Sequence, residues 1–326
     1  LPFVGLSDPD GRGAGKVLGL LAYLPGRRCQ QFTARIPCEK RGFYHLGPVG
    51  LASSFPLGLA EARRTADDSI RTLTIYPEVF NILGLPLHGA PSQIHRGGYL
   101  LPEGAGAAEF AGLREYRRGD NPRHIHWPTT ARMNELMVKQ FEPLASACLC
   151  IALDLAKDSN VGEGKHSTLE YAVRIAASIA RFSRDNNLRS RMTGVGTRPV
   201  DIPAGSGAFQ YQGILDQLAV VDSDGSTPYA SVLEELAMHA IAGETVVVFL
   251  SQKAADSTDI VRSLALLRAR RAHIFAIVFE RGSFLSPSTH APADAQADAT
   301  TGALQELDAQ SLRVRRGDDL MQLFNA

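Results

Sequence analysis

From Ala147 onward the apolar residues alternate between two rhythms. Cys148 to Asp154, Thr245 to Leu250 and His273 to Phe279 are short apolar runs of strand length, which predicts strands buried on both faces. Between them the spacing shifts to threes and fours. Leu169, Val173, Ala176, Ala177 and Ala180 fall on one face of a predicted helix from Ser167 to Arg184. Arg189 to Val195 reads as a further strand, and Ala208 to Leu218, Tyr229 to Ile241 and Ile260 to Arg270 as helices. After a polar, Ala-rich loop from Arg281 to Gly302 come a short helix, a strand near Leu312 to Val314 and a last helix from Asp318 to Phe324. Strands alternating with helices predict a doubly wound α/β domain over 144–326, with a parallel sheet covered on both faces and its functional edge at the strand C-termini.

Residues 1–83 have a different pattern. Gln31 to Ile36, Gly42 to Val49 (extending to Ser54) and Ile70 to Tyr76 read as short strands separated by turn residues, which predicts a small β-sandwich or open barrel serving as a platform. Residues 84–110 are rich in Gly, Pro and Ala without periodicity and read as a flexible linker. Residues 111–143 form a strap, and its Glu135 to Glu142 portion returns as a strand.

Composition narrows the function classes. The 34 basic and 34 acidic side chains balance, so bulk charge makes no case for nucleic acid or an anionic membrane as partner. No apolar run approaches the roughly 20 residues of a membrane span. Cys148 and Cys150 share one face of an apolar strand and read as small core residues. Cys29 and Cys38 flank a strand and could pair under oxidising conditions, but four cysteines without metal-type pairing favour reduced thiols in a cytoplasmic protein.

The strap concentrates the chain's unusual chemistry. It holds Trp127, the sole tryptophan, together with Arg114, Arg117, Arg118, Arg123 and Arg132, His124 and His126, around a Gly119-Asp120-Asn121-Pro122 turn. Asp120 is expected to accept charge-assisted bonds from one or more of Arg114, Arg123 and Arg132. The run Arg114-Glu115-Tyr116-x-x-Gly119-Asp120-x-x-Arg123-x-Ile125-His126-Trp127-x-x-x-Ala131-Arg132, followed by Leu136 to Glu142, resembles the signature of a bacterial family, domain of unknown function family 58. Pro128 departs from that family's usual basic or polar residue. Arg41-Gly42-x-Tyr44-x-Leu46-Gly47-Pro48 and Phe55-Pro56-Leu57-Gly58-Leu59 are similar to its β domain. The resemblance implies a MoxR-type AAA+ ATPase as partner. It also implies a location at the cytoplasmic membrane face, through a membrane-embedded hairpin that precedes this region and is absent from this chain.

The α/β domain placed after this signature resembles a von Willebrand factor A domain, which holds Mg²⁺ at the strand tips through oxygen ligands. The resemblance puts Asp154 as first acid, Ala156 and Asp158 where two serines belong, Thr227 in the threonine loop, and Gln252 where a carboxylate belongs. With those positions altered, and Lys157 beside them to offset Asp154, a degenerate site is expected, binding Mg²⁺ weakly or not at all.

Other motifs are weaker. Gly164-Lys165 lies between strand and helix, but a phosphate loop needs glycine where Ser159 stands and a hydroxyl where His166 stands, so a helix-capping loop is expected. His124 and His126 lack a convincing third metal ligand and are expected to hydrogen-bond within the strap. No nucleophile elbow, paired Cys–His set or metalloprotease pattern is present. The expected function is therefore a non-enzymatic adaptor assisting assembly or maturation of other proteins. A nucleotide- or metal-dependent hydrolase using the 154–168 loop and a metal-dependent adhesion module are the alternatives.

Overall fold

The computed structural model describes residues 2–7, 16–17, 31, 40–53, 59, 62–66, 71–87, 109–116, 125–133, 135–142, 148–251, 253, 256–285 and 295–325. Among them, β1 (Pro2–Ser7), β2 (Lys16–Val17), β3 (Gly42–Ser53), β4 (Ala62–Ala66) and β5 (Arg71–Ile75) make one antiparallel sheet. The long β3 is its spine. One edge of it pairs with β1, while the other is divided between β4, against Val49 to Ser53, and β5, against Gly42 to Leu46. The described strands form a single sheet here, where the sequence predicts a sandwich or barrel. The expected Gln31–Ile36 strand lies, beyond Gln31, outside the described residues.

The strap has more regular structure than its sequence predicts. β6 (Glu109–Glu115) and β7 (Met137–Glu142) pair antiparallel, and α1 (Trp127–Met133) lies between them in the chain. Glu109 and Phe110, expected in the linker, are already in β6.

The rest of the chain is β8 (Cys148–Leu153), α2 (Thr168–Asp185), β9 (Arg189–Val195), β10 (Pro199–Gly205), α3 (Gly207–Val220), α4 (Tyr229–Met238), β11 (Thr245–Leu250), α5 (Ser257–Ala269), β12 (His273–Phe279), α6 (Arg281–Leu285), α7 (Ala295–Glu306), β13 (Gln310–Val314) and α8 (Leu320–Asn325). Its six-stranded sheet runs β10-β9-β8-β11-β12-β13, parallel throughout except for β10 at one edge. The three apolar runs are the three central strands, and every residue of β8 and β11 is buried. Strand alternation divides the core in two. Leu149, Ile151, Leu153, Val247 and Phe249 face α2 and α3, whereas Cys150, Ala152, Val246 and Val248 face α4 and α5. The predicted helical stripe on α2 is the buried one, from Leu169 to Ala180. Three features depart from expectation. Pro199 to Gly205 forms an unforeseen edge strand, and both Arg281 to Leu285 and much of α7 are helical within the predicted loop.

Beyond β5 the chain runs onto the α/β unit. Ile82 is in its core, with Val79, Phe80, Leu85 and Leu87 packed against it, and Phe80 meets Phe324 with ring centroids 5.5 Å apart. Leu85 and Leu87 are thus packed, although the sequence places them in the linker.

Arg41, just before β3, anchors the antiparallel sheet to this unit. Its Nη1 donates to the carbonyls of Leu218 (2.8 Å) and Val221 (2.6 Å), the terminal acceptors of α3, and its Nε donates to Glu170 Oε2 (3.1 Å) on the first turn of α2. A cation belongs at a helix C-terminus and an anion at an N-terminus, so both dipoles favour the arrangement. With the side chain only 4% exposed, removing it strands two carbonyls and a carboxylate. Arg41→Ala is expected to cost about 3 kcal/mol, read as a lower urea midpoint, and Arg41→Lys to recover less than half of the loss.

Candidate functional site

The carboxyl edge of a doubly wound sheet gathers loops from several strands, and four segments meet at this one. The first leaves β8 through Asp154, which is 4% exposed. Its Oδ1 accepts from the Ala156 amide (3.0 Å), closing an Asx turn. The Asn160 side-chain amide donates to the carbonyls of Asp154 (3.1 Å) and Ala156 (3.2 Å), and the Ser159 hydroxyl donates to the Ala156 carbonyl (3.0 Å). The loop is therefore folded on itself.

The second segment precedes α4. The Gly225 amide donates to the Leu155 carbonyl (2.9 Å), and the Lys157 amide donates back to Gly225 (3.0 Å), so the two loops are joined like short parallel strands. Only glycine fits here, because a Cβ on Gly225 would lie 2.5 Å from the Val195 carbonyl oxygen. Asp224 accepts from the Thr197 amide (2.8 Å), and that bond, ahead of all else, holds its carboxyl below the usual range. Tyr229 donates to the Ala152 carbonyl (2.7 Å) from within the core. Burial first, then the nearby charge of Asp154, push its phenol well above its ordinary value.

The third and fourth segments are the end of β11 and the start of α6. The Ser251 hydroxyl donates to the Ser159 carbonyl (2.9 Å). Arg281 completes the closure, with Nη1 donating to the carbonyls of Ser159 (2.7 Å) and Ser251 (2.6 Å) and Nη2 to that of Asp158 (3.3 Å). A guanidinium thus ties the β8 loop to the β11 tip. The sequence pattern puts Arg281 at the head of a loop and suggests no role for it. The one available signal was its position two residues beyond a buried apolar strand, where chain ends on the sheet's carboxyl edge.

Of the residues expected at a metal site, Asp154 and Ala156 lie at the sheet edge, and Thr227 sits half-buried in the adjoining loop. Asp158 is exposed at the rim, as is Lys157, and Gln252 lies outside the described residues. This donor set does not fit Mg²⁺. Ala156 has no side-chain oxygen, Asp158 turns to solvent, and a cation already bonds the surrounding carbonyls. Among the described residues no group of three His, Cys, Asp or Glu side chains is placed to hold a metal.

The Gly162–Thr168 segment is a cap. Ser167 accepts from the Glu170 amide (3.2 Å) as N-cap of α2, and the amides of His166, Ser167 and Thr168 donate to Glu163, Gly164 and Val161. Three N–H groups at the end of this loop, those of His166, Ser167 and Thr168, are thus bonded within it.

Within the strap, Gly119, Asp120 and Arg123, with His124, lie outside the described residues, and the pairing expected of Asp120 lies there too. Arg114 is in β6 and Tyr116 directly follows it, the Tyr116 amide donating to the Leu136 carbonyl (2.8 Å). His126 Nδ1 is 2.8 Å from Thr129 Oγ1, and its amide donates to the Met137 carbonyl (2.8 Å), a hydrogen bond inside the strap as expected. Trp127 opens α1 and is 65% exposed, Arg132 is exposed in the last turn, and Met133 and Leu136 are exposed beside it.

The family profile described as "Protein of unknown function DUF58" matches residues 112–318, and the chain belongs to that family. An uncharacterized protein, YeaD, of Bacillus subtilis is 27% identical over 235 residues, which cover 68% of this chain and 53% of that protein. The chain thus spans about half the length of this relative. Among solved structures, proximal thread matrix protein 1 from the mussel byssus is similar over 55% of this chain and 46% of its own, with 12% identity and a TM-score of 0.38. The pilus adhesin SpaC of Lactobacillus rhamnosus GG is similar over 55% of this chain and 29% of its own, with 9% identity and a TM-score of 0.41.

Arg281→Ala leaves the Ser159 and Ser251 carbonyls without this donor. It is expected to lower stability by about 1–3 kcal/mol in urea unfolding, with the folded-state circular dichroism unchanged. Calorimetric titration with Mg²⁺ or Mn²⁺ is expected to show no stoichiometric binding. Tight binding abolished by Asp154→Ala would contradict the lack of fit.

Proposed function

We propose that this member of the DUF58 family works as a non-enzymatic adaptor for a MoxR-type AAA+ ATPase, assisting assembly or maturation of other proteins at the cytoplasmic face of the membrane. One observation carries the reading. The family signature, its most distinctive sequence, leaves Trp127, Met133 and Leu136 individually exposed, with Arg132 exposed on the same short helix as Trp127 and Met133. Tryptophan, methionine and arginine are the residue types enriched where protein partners dock. The strand-tip edge supports the same reading, because its carbonyls and amides bond to one another and to Arg281 rather than facing a substrate.

The six-stranded sheet with one antiparallel edge strand supports assigning the domain as von Willebrand factor A-like, with a degenerate ion site. Identification of the ATPase rests on the family resemblance of the signature. The membrane location rests on the family resemblance; among the described residues no helix is long and apolar enough to cross a bilayer.

Co-purification with a MoxR-type AAA+ ATPase from the same organism, with and without ATP and sized by light scattering, tests the reading. A nucleotide-dependent complex is expected, lost in a Trp127→Ala variant that keeps its unfolding midpoint. Separate, well-behaved proteins under every nucleotide condition would end it.

A further inference from the structure

The chain as a whole is neutral, yet one cleft is not. A recess of about 430 Å³ lies at the seam where β3 and β5 meet the start of α2, a volume in the range of small-molecule sites. Among the described residues lining it, Lys40, Arg41, Lys165 and Arg174 supply four permanent cations, opposed by Glu78 and Glu170. Ile75, Tyr76, Pro77 and Tyr171 form a less polar wall.

The carboxylates do not use up the donors. Glu170 takes Arg41, and Glu78 takes Arg174 through Nη2 at 2.7 Å, but Arg174 Nε is buried without a hydrogen-bond acceptor. Arg41 Nη2 is also buried without one, since it faces Glu170 Oε1 at 3.1 Å outside hydrogen-bond geometry. His166 Nδ1 is a third buried ring or guanidinium nitrogen lacking a partner. Lys40 reaches Asp222 only at 3.9 Å between exposed groups, and Lys165 forms no ion pair among the described residues. Two of these nitrogens, Arg174 Nε and His166 Nδ1, have no partner and Arg41 Nη2 has only an ion pair outside hydrogen-bond geometry, so the cleft offers buried donors whose burial is offset when an acceptor is bound.

We infer that this cleft binds a multivalent oxyanion of the phosphate-ester class, whose oxygens are met by Lys165, His166 and Arg174 and whose organic part lies against Tyr76 and Tyr171. The His166 imidazole registers the same field. Its pKa is held below the ordinary value by burial, then by the charges of Arg316, Lys165 and Arg174. A bound anion counters those charges and raises it. The ligand touches both the antiparallel sheet and α2, so it strengthens their docking. The lysine of the failed phosphate-loop motif thereby acquires a role through its side chain, not through the loop's amides.

The test uses the full chain in phosphate-free, low-salt buffer, titrated with inorganic pyrophosphate and, at matched ionic strength, with sodium chloride. Unfolding midpoints and the His166 ring resonance are followed together. Pyrophosphate is expected to raise the midpoint saturably and to move the His166 pKa upward. Lys165→Ala, at an exposed position that leaves folding intact, is expected to weaken binding about tenfold, and Arg174→Gln likewise. Sedimentation with phosphatidylcholine vesicles containing phosphatidic acid identifies the source. Lys165-dependent capture by those vesicles assigns the oxyanion to a lipid headgroup, and response to pyrophosphate alone assigns it to a soluble phosphate ester. Equal responses to chloride and pyrophosphate, or an unchanged affinity in both variants, would overturn the site.

Discussion

A parallel sheet buried on both faces ends in carbonyl groups whose ladder partners stop at its carboxyl edge. In apolar surroundings each of them needs a donor. Arg281 answers that need here, holding the Ser159 and Ser251 carbonyls with one guanidinium nitrogen. It is fixed by the connection after β12, so a single side chain couples the β8 loop, the β11 tip and the start of α6. Arg41 meets the same constraint at the far end of α3, where helix carbonyls run out, and in doing so joins the antiparallel sheet to the α/β unit. Arginine suits both places, because its planar fork of five donors reaches several acceptors at once and stays charged when buried.

This closure shapes the chemistry. Doubly wound domains ordinarily bind ligands at the carboxyl edge, but here Gly225 is wedged against the Val195 and Leu155 carbonyls, and the Asp154 loop is bonded internally. The edge is cross-bonded, and the protein's own Arg281 guanidinium bridges its carbonyls. Exposed chemistry lies elsewhere, on the strap helix around Trp127 and in the basic cleft beside α2. On the adaptor reading these are complementary. The α/β body is joined to a family-specific element with exposed apolar side chains and has a charged recess at its seam with the second sheet.

The residue pattern alone specified the α/β core. Thr245–Leu250 and His273–Phe279 occur as strands with the predicted ends, and the Leu169-to-Ala180 stripe is the buried face of α2, because both periodicities follow from burial along a local element. It also determined that Gly162 to Thr168 caps a helix, since a phosphate loop needs residue types that Ser159 and His166 lack. The remaining features depend on contacts made in three dimensions. Pro199–Gly205 became a strand because β9 offers it an edge, and the segment through Leu87 is packed because α2 and α8 present apolar surface to it. Arg281 and Arg41 meet carbonyls distant from them in sequence, at separations of 30 and 122 residues for Arg281 and 177 and 180 for Arg41. Lys40 and Lys165 share a cleft across a similar gap. Hydrogen-bond need and electric field depend on distance in space, and no local pattern of residues encodes which distant backbone will come to lie beside a given side chain.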